Sequence, residues 1–242
     1  MSEFQYYEFQ KLDGQLSFQD IQEIKKLSSR VKVNRNQAIF VYHFGNFRGE
    51  PENILGSYFD AMLYLANWGS KQLSFRLPKH LVDVKDLMAY ELDQIIEIEE
   101  INDSLILSLY YENEEGFGWV NEDEVATLLS NLSTLRKDIL MKDYRCLYLA
   151  WLAHFTVDGL DNIKLPILAN LQELSPELSQ FAEFFEIPEE MLNAISSKSE
   201  SVKPQKLDIN TLSNEEMRYF LEKLVGGDPL VQIELKQRLQ KI

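Results

Sequence analysis

The stretch QIIEIEEINDSLILSLYY, residues 94–111, decides the fold of this chain. From residue 105 to 109, leucines alternate with other residues, which is typical of a strand with one buried face. Asn102-Asp103 lies between two such runs and supplies residues that favour a tight turn. The stretch therefore predicts a β-hairpin with strands over 94–101 and 104–111.

The residues before this hairpin predict further strands. Residues 4–10 are rich in Tyr and Phe, and residues 31–33 and 39–42 are rich in β-branched and aromatic side chains. These residue types are enriched in strands. Residues 73–78 alternate apolar and polar side chains and predict one more strand. The first half of the chain thus contains the strands of at least one sheet.

Two helices are predicted among these strands. Ser17 can cap a helix whose apolar residues recur about every three positions up to Leu27. Pro51 lies at a first helical position, and the apolar period that follows it continues to Trp68, with Gly69 as a stop signal. We therefore expect one helix after Ser17 and a second, longer helix over about 51–68.

From residue 121 onward the apolar period is helical. We predict an α+β fold with a mixed or antiparallel sheet and helices in residues 1–120, and an α-helical region packed on it over 121–195. A Ser- and Pro-containing linker over 196–210 precedes a helical tail over 211–242. Because a short amphipathic tail cannot bury its apolar face alone, it docks either on its own chain or on another subunit or partner.

The composition excludes several classes of protein. The 242 residues are 45% hydrophobic, which suffices for a sizeable core, and the formal net charge of −15 argues against a general nucleic-acid partner. The single cysteine, Cys146, excludes an intramolecular disulfide and a multi-thiolate zinc site. We see neither a secretion signal nor an apolar run that could cross a bilayer. We expect a cytoplasmic chain with no membrane partner, no cofactor and no metal, and leave its oligomeric state open.

Negative charge is concentrated in the middle of the chain. Between Lys85 and Arg136 lie 50 residues that include 13 acidic residues and no Lys or Arg. The candidate binding residues of this acidic block are Glu97, Glu99, Glu112, Glu114 and Glu115. Glu97 and Glu99 share one face of a predicted strand, which is stable only if that face meets solvent, a cation or a basic partner. The block favours a basic protein partner, with a solvated surface or a divalent cation as alternatives.

The loop over residues 42–51 is a second candidate site, because it precedes a predicted helix N-terminus, where backbone N–H groups favour anions. The candidate residues are His43, Asn46, Arg48, Asp60 and Arg76. If the protein is an enzyme, His43 and Asp60 would move protons while Arg48 or Arg76 would hold an anion. The sequence contains no glycine-rich nucleotide-binding motif and no zinc-protease motif, so the question of catalysis stays open.

Six short blocks resemble a family of uncharacterised bacterial proteins. They are YYEFQ (6–10), GNFRG (45–49), YFDA (58–61), LYLANWG (63–69), FRLP (75–78) and RCLYL (145–149). The resemblance runs over most of residues 6–195 and implies a bacterial intracellular protein, but it implies no activity, cofactor or catalytic residue. Relatives often carry Asp where this chain has Asn46, which weakens an acid–base role for the loop.

These patterns favour a cytoplasmic interaction or regulatory protein whose acidic surface binds a basic partner. The alternative is an enzyme or a small-anion-binding protein that uses the loop from His43 to Arg48.

Overall fold

A computed structural model describes residues 3–45, 47–113, 115–116, 125–155, 168, 170–202 and 206–240. Within them, seven strands form one sheet in the order β2-β3-β1-β4-β5-β7-β6. The strands are β1 Gln5–Gln10, β2 Lys32–Val33, β3 Gln37–Tyr42, β4 Ala61–Ala66, β5 Ser70–Pro78, β6 Ile96–Ile101 and β7 Ser104–Glu112. All neighbouring pairs are antiparallel. The predicted α+β class is confirmed, and the sheet is antiparallel rather than mixed.

Three of the described helices lie between strands, and the other seven follow the last strand. The helices are α1 Phe18–Leu27, α2 Pro51–Tyr58, α3 Val84–Met88, α4 Leu128–Leu132, α5 Leu135–Leu140, α6 Arg145–Leu152, α7 Pro176–Phe184, α8 Glu189–Lys198, α9 Asn214–Val225 and α10 Val231–Gln240. Single 3-10 turns occur at Lys79–Leu81 and Ile209–Thr211. The second half of the chain is therefore helical, as predicted.

The predicted hairpin is formed by β6 and β7. Ile98 lies opposite Leu107, and Ile101 lies opposite Ser104 at the turn. Asn102 has a φ angle of 56°, in the left-handed region that Asn tolerates better than most residues and that tight hairpin turns use. This turn sets the register that places the leucines of β7 on the buried face.

The helices of the second half cover one face of the sheet. Leu63, Phe75 and Leu107 project from that face and belong to the same hydrophobic core as side chains of the helical half. Because this core contains residues of both halves, the sheet and the helices pack as one structure. Helix α8 continues to Lys198, so the predicted linker over 196–210 begins inside a helix.

The opposite face of the sheet is only partly covered. Ile24 of α1 and Leu55 of α2 pack there on Phe9, Phe40 and Met62 of three neighbouring strands. Strands β5, β7 and β6 extend beyond this cover and present polar side chains on the same face. The fold thus leaves an open polar area beside α2.

The prediction of one helix over 51–68 is wrong. Helix α2 ends at Tyr58, and the next apolar run forms β4 between β1 and β5. This strand is apolar on both faces, because Leu63 faces the helical core and Met62 faces the core beneath α1 and α2. Since its side chains do not alternate in polarity, periodicity alone does not distinguish this buried strand from a helix.

The helical tail docks on its own chain. Ile233 of α10 is buried in the main core, and Gln237 Nε2 donates hydrogen bonds to the backbone oxygens of Leu81 and Leu140 at 2.8 and 2.6 Å. Ion pairs then join α9 to α10. Of the two docking alternatives, the structure shows the intramolecular one.

Candidate functional site

The open part of the sheet has a polar floor. Gln72 and Ser74 of β5 and Ser108 of β7 are all more than nine-tenths buried. Gln72 Nε2 donates to Ser74 Oγ over 2.9 Å, and Ser74 Oγ donates to Ser108 Oγ over 2.8 Å. These hydrogen bonds compensate for the burial of the polar groups. The result is a floor that is polar but carries no charge.

Carboxylates surround this floor. A hollow of about 360 Å³ lies between the N-terminus of α2 and β6, and a hollow of about 680 Å³ adjoins it toward the beginning of β5. Glu97 and Tyr110 line both hollows, so the two lie side by side. We call this surface the acidic cleft, and its carboxylates are Glu50, Glu52, Asp93, Glu97, Glu99 and Glu112.

Within the described ranges, none of these six carboxylates forms an ion pair with Lys or Arg. Glu52 Oε1 accepts a hydrogen bond from Gln72 Nε2 at 3.0 Å. Because this amide is neutral, the negative charge of Glu52 remains. Lys71 lines the larger hollow, but its Nζ donates to Glu186 Oε1 and to the Phe184 backbone oxygen, both at 2.7 Å. The negative charge of the acidic cleft is therefore not neutralised by these described residues.

Carboxylates of the acidic cleft contribute to raising the pKa of two tyrosines beside it. Burial raises the pKa of Tyr110, and the carboxylates of Glu52 and Glu97 raise it further, against a hydrogen bond with Ser108 that lowers it. Burial also raises the pKa of Tyr64, and the charge of Glu112 adds to the effect. A concentrated negative potential of this kind favours cationic ligands.

The structure brings three of the five predicted glutamates together. These are Glu97, Glu99 and Glu112, which all line the acidic cleft. Glu115 lies in the turn after β7, and Glu114 lies outside the described residues. Two other members of the acidic block, Asp86 and Glu100, form ion pairs with lysines. The block is thus partly neutralised, and its unpaired charge includes that of the cleft.

Sequence analysis missed the other half of the cleft. Glu50 and Glu52 lie at the start of α2, which the fold places against β7, and Asp93 lies in the loop before β6. The approach of Glu50 and Glu52 to β6 is a long-range contact with no local pattern, whereas Asp93 is close to β6 in sequence and belongs to the acidic block. The polar floor did leave a signal, because Gln72 and Ser74 are polar on one face of a strand that is apolar on the other.

Asp60 and Arg76, two of the predicted catalytic and binding candidates, form an ion pair outside the acidic cleft. Asp60 is fully buried, and its carboxylate accepts from the Arg76 guanidinium and from the backbone amides of Leu12 and Asp13, both at 2.8 Å. Burial alone would raise the pKa of Asp60, but Arg76 and the Asp13 amide hold it below its usual value. This carboxylate is positioned to stabilise the fold rather than to exchange protons with a substrate.

Arg136 of α5 joins the helical half to the same network. Its Nε donates to the backbone oxygen of Arg76 at 2.7 Å, and its guanidinium binds the Asp13 carboxylate with distances of 2.5 and 3.1 Å. The Arg136 side chain is 5% exposed. A buried guanidinium thereby connects the helices to β5 and to the loop after β1.

The structure keeps His43 and Asp60 apart. His43 follows β3, and its ring centroid lies 5.7 Å from that of Phe4, just before β1. Asp60 precedes β4 and donates its backbone N–H to the oxygen of Gln10, at the other end of β1, over 2.8 Å. A strand of this length spans roughly 20 Å. The two side chains therefore do not form an acid–base pair.

A perturbed carboxyl group also occurs outside the cleft. The pKa of Asp138 in α5 is raised to about 6. Burial is the main cause, and the negative charges of Asp143 and Glu177 add to it while Arg145 opposes it. The charged groups that shift the pKa of Asp138 belong to the helical half of the chain. Asp138 therefore affects the stability of the fold and is not part of the acidic cleft.

We expect Asp138→Asn to raise the free energy of unfolding by about 1 kcal/mol near pH 8 and to have little effect near pH 4. The folded state binds the Asp138 proton more tightly than the unfolded state, whose pKa is near 3.8. The wild-type protein therefore loses stability as the pH rises from about 4 to about 6, and asparagine removes this loss. Urea unfolding at both pH values measures the effect, and Glu173→Gln at an exposed position should show no such pH dependence.

Comparison with models of known protein families, with curated protein sequences and with solved structures found no match. In the part of the chain that the structure describes, no group of three or more His, Cys, Asp or Glu side chains is arranged to hold a metal ion. No described helix combines the length and the apolar composition needed to cross a membrane. The acidic cleft is therefore the feature of the molecule that points to a function.

Proposed function

We propose that the acidic cleft binds a lysine- or arginine-rich segment of a partner protein, and that this protein acts in interaction or regulation. The supporting observation is the set of six carboxylates around an uncharged floor, without Lys or Arg partners among the described residues. Like charges that face one another destabilise a fold. A cationic partner would relieve this repulsion, which gives the retained charges a role in binding.

The shape of the cleft favours several separate cationic side chains over one ion. Its carboxylates are distributed over two adjoining hollows of about 360 and 680 Å³ rather than around one point. The hydroxyl groups of Ser108 and Tyr110 lie on the floor and can accept hydrogen bonds from ammonium or guanidinium groups. An extended basic segment would place one side chain in each hollow.

Two broader parts of this proposal rest on the sequence. The single cysteine, Cys146, is buried and unpaired, which fits a reducing compartment, and we propose a cytoplasmic location. The six blocks that resemble bacterial proteins support a bacterial source and membership of that family. Neither point identifies the partner, so the acidic cleft remains the basis of the functional proposal.

We expect a fluorescein-labelled hexalysine peptide to bind the full chain at low salt, and the double variant Glu97→Gln/Glu99→Gln to weaken this binding about tenfold. Each exposed ion pair contributes up to about 1 kcal/mol, and two such pairs account for a change of this size. Fluorescence anisotropy measures the affinity. Raising the ionic strength to about 1 M should abolish binding, because the Debye length falls to about 3 Å.

The matched control is Glu189→Gln/Glu190→Gln, which removes the same charge from exposed positions at the start of α8. We expect this control to change the affinity less than about twofold. The cleft variant should also unfold at a higher urea concentration than the wild type, because it relieves repulsion. Equal losses of affinity in both double variants, or no binding of hexalysine, would contradict the proposal.

A further inference from the structure

A hollow of opposite charge lies away from the acidic cleft. It has a volume of about 320 Å³ and lies between the end of α1 and the end of β3, near the other edge of the sheet. We call it the cationic hollow, and the lining residues that matter here are Ser29, Arg30, Tyr42, His43, Phe44 and Arg48. Asn46, a predicted member of this loop, lies outside the described residues. The lining therefore includes the two ends of the loop that sequence analysis singled out.

Among the described residues, the two arginines of the cationic hollow have no carboxylate partner. Of the eight arginines in the chain, five pair with Asp or Glu. Those five are Arg76, Arg136, Arg145, Arg218 and Arg238. Among the remaining three, Arg35 donates to Gln15, whereas Arg30 and Arg48 line the hollow without an acidic partner in the described residues. In a chain of net charge −15, this pair of unneutralised guanidinium groups marks a site for an anion.

The lining also offers hydrogen-bond donors. The Oη atom of Tyr42 is buried and has no hydrogen-bond partner among the described residues. Because this atom has essentially no exposed surface, it does not face the hollow, and the donor side chains of the lining include Ser29 and the two arginines. An occupant with several acceptor oxygens would match them.

An exposed aromatic side chain adjoins these donors. Phe44 is 82% exposed and lines the hollow beside His43. The face or edge of a phenylalanine ring can pack against the ring of an aromatic ligand. The combination of two guanidinium groups and a flat apolar surface suits an anion that carries an aromatic ring.

We infer that the cationic hollow binds a small phosphate monoester with an aromatic group. Arg30 and Arg48 hold the phosphate, because two guanidinium groups balance a dianion and bind its oxygens in pairs. Phe44 contacts the aromatic ring. The volume of the hollow falls in the range of small-molecule sites. This site shares no residue with the acidic cleft, so its test is independent of the test of the function proposed above.

The test is a titration of the ¹⁵N-labelled full chain, followed by amide chemical shifts, with phenyl phosphate, inorganic phosphate and phenol. We expect phenyl phosphate to shift amides within residues 28–30 and 42–48, inorganic phosphate to bind the same site more weakly, and phenol not to bind. Arg30→Gln and Arg48→Gln should each weaken phenyl phosphate binding about tenfold, as expected for the loss of a charge-assisted hydrogen bond.

Two further variants make the test specific. Phe44→Ala should reduce the affinity for phenyl phosphate to that for inorganic phosphate and leave the latter unchanged. Arg35→Gln removes the same charge outside the hollow and should change binding less than about twofold. The inference is overturned if phenyl phosphate shifts no amide of the hollow, if Arg35→Gln weakens binding as much as the hollow variants, or if Phe44→Ala has no effect.

Discussion

Asp60→Asn is expected to lower the free energy of unfolding by about 3–5 kcal/mol. The Asp60 carboxylate is fully buried and serves the Arg76 guanidinium and two backbone amides at once. Asparagine has nearly the same shape as aspartate but carries no charge, and its N–H₂ group cannot accept hydrogen bonds from the donors around it. The largely buried Arg76 guanidinium therefore loses its ionic partner. Urea unfolding near neutral pH, followed by circular dichroism, measures the loss.

Acid provides a second measurement of the same interaction. The pKa of Asp60 is lower in the folded state than its ordinary value of 3.8, so its contribution is complete above about pH 5 and is lost as the pH falls through the folded value. The difference between wild type and Asp60→Asn should therefore shrink at acid pH. Glu100→Gln breaks an ion pair at the surface and should cost less than about 1 kcal/mol. A loss below about 1 kcal/mol for Asp60→Asn would show that the buried network contributes little.

Gly69→Ala is expected to destabilise the protein by about 3 kcal/mol or more. Gly69 forms the turn between β4 and β5 with a φ angle of 114°, a conformation that side chains rarely adopt. An added Cβ would also overlap the backbone oxygen of Asn113, whose N–H donates to the Gly69 oxygen over 3.0 Å. The overlap can be relieved only if the backbone at Gly69 or at Asn113 moves, which costs free energy. Thermal and urea unfolding of the variant measure the effect.

Gly14→Ala is the matched control for this substitution. Gly14 also has a left-handed φ angle, 96°, but an added Cβ would meet no atom within 4 Å. Its cost should be limited to backbone strain, about 1 kcal/mol. Equal losses in the two variants would show that strain alone, and not overlap with Asn113, accounts for the role of Gly69.

The elements that sequence analysis predicted correctly are those with local signals. The β6–β7 hairpin has alternation and a turn, and α1 has a cap at Ser17 whose side chain accepts from the Asp20 amide. Strand β4 has no such signal, because both of its faces are buried in different cores. The prediction of a helix over 51–68 is wrong because burial of both faces of β4 depends on tertiary packing, which apolar periodicity does not reveal.

The residues of the candidate sites also differ in whether a local sequence signal indicates them. Charge counting found Glu97 and Glu99, because they are close in sequence and lie on one strand face. It could not find Glu50 or Glu52, which reach the cleft through long-range contacts, and it did not distinguish Asp93 from the other acidic residues of the block. Asp60 is a candidate for proton transfer by its residue type, yet it is fully buried and forms an ion pair with Arg76. Residue type alone does not distinguish a structural carboxylate from a functional one.

The position of Arg136 has a consequence for biosynthesis. A ribosome releases the chain from its N-terminus, so Asp13 and the end of β5 emerge long before the arginine that joins them. Until that arginine arrives, one carboxylate and one carbonyl oxygen lack the donor that will enclose them. The contacts of Arg136 with Asp13 and with the Arg76 backbone oxygen therefore form only after about sixty further residues have been synthesised, even where the strands pair earlier.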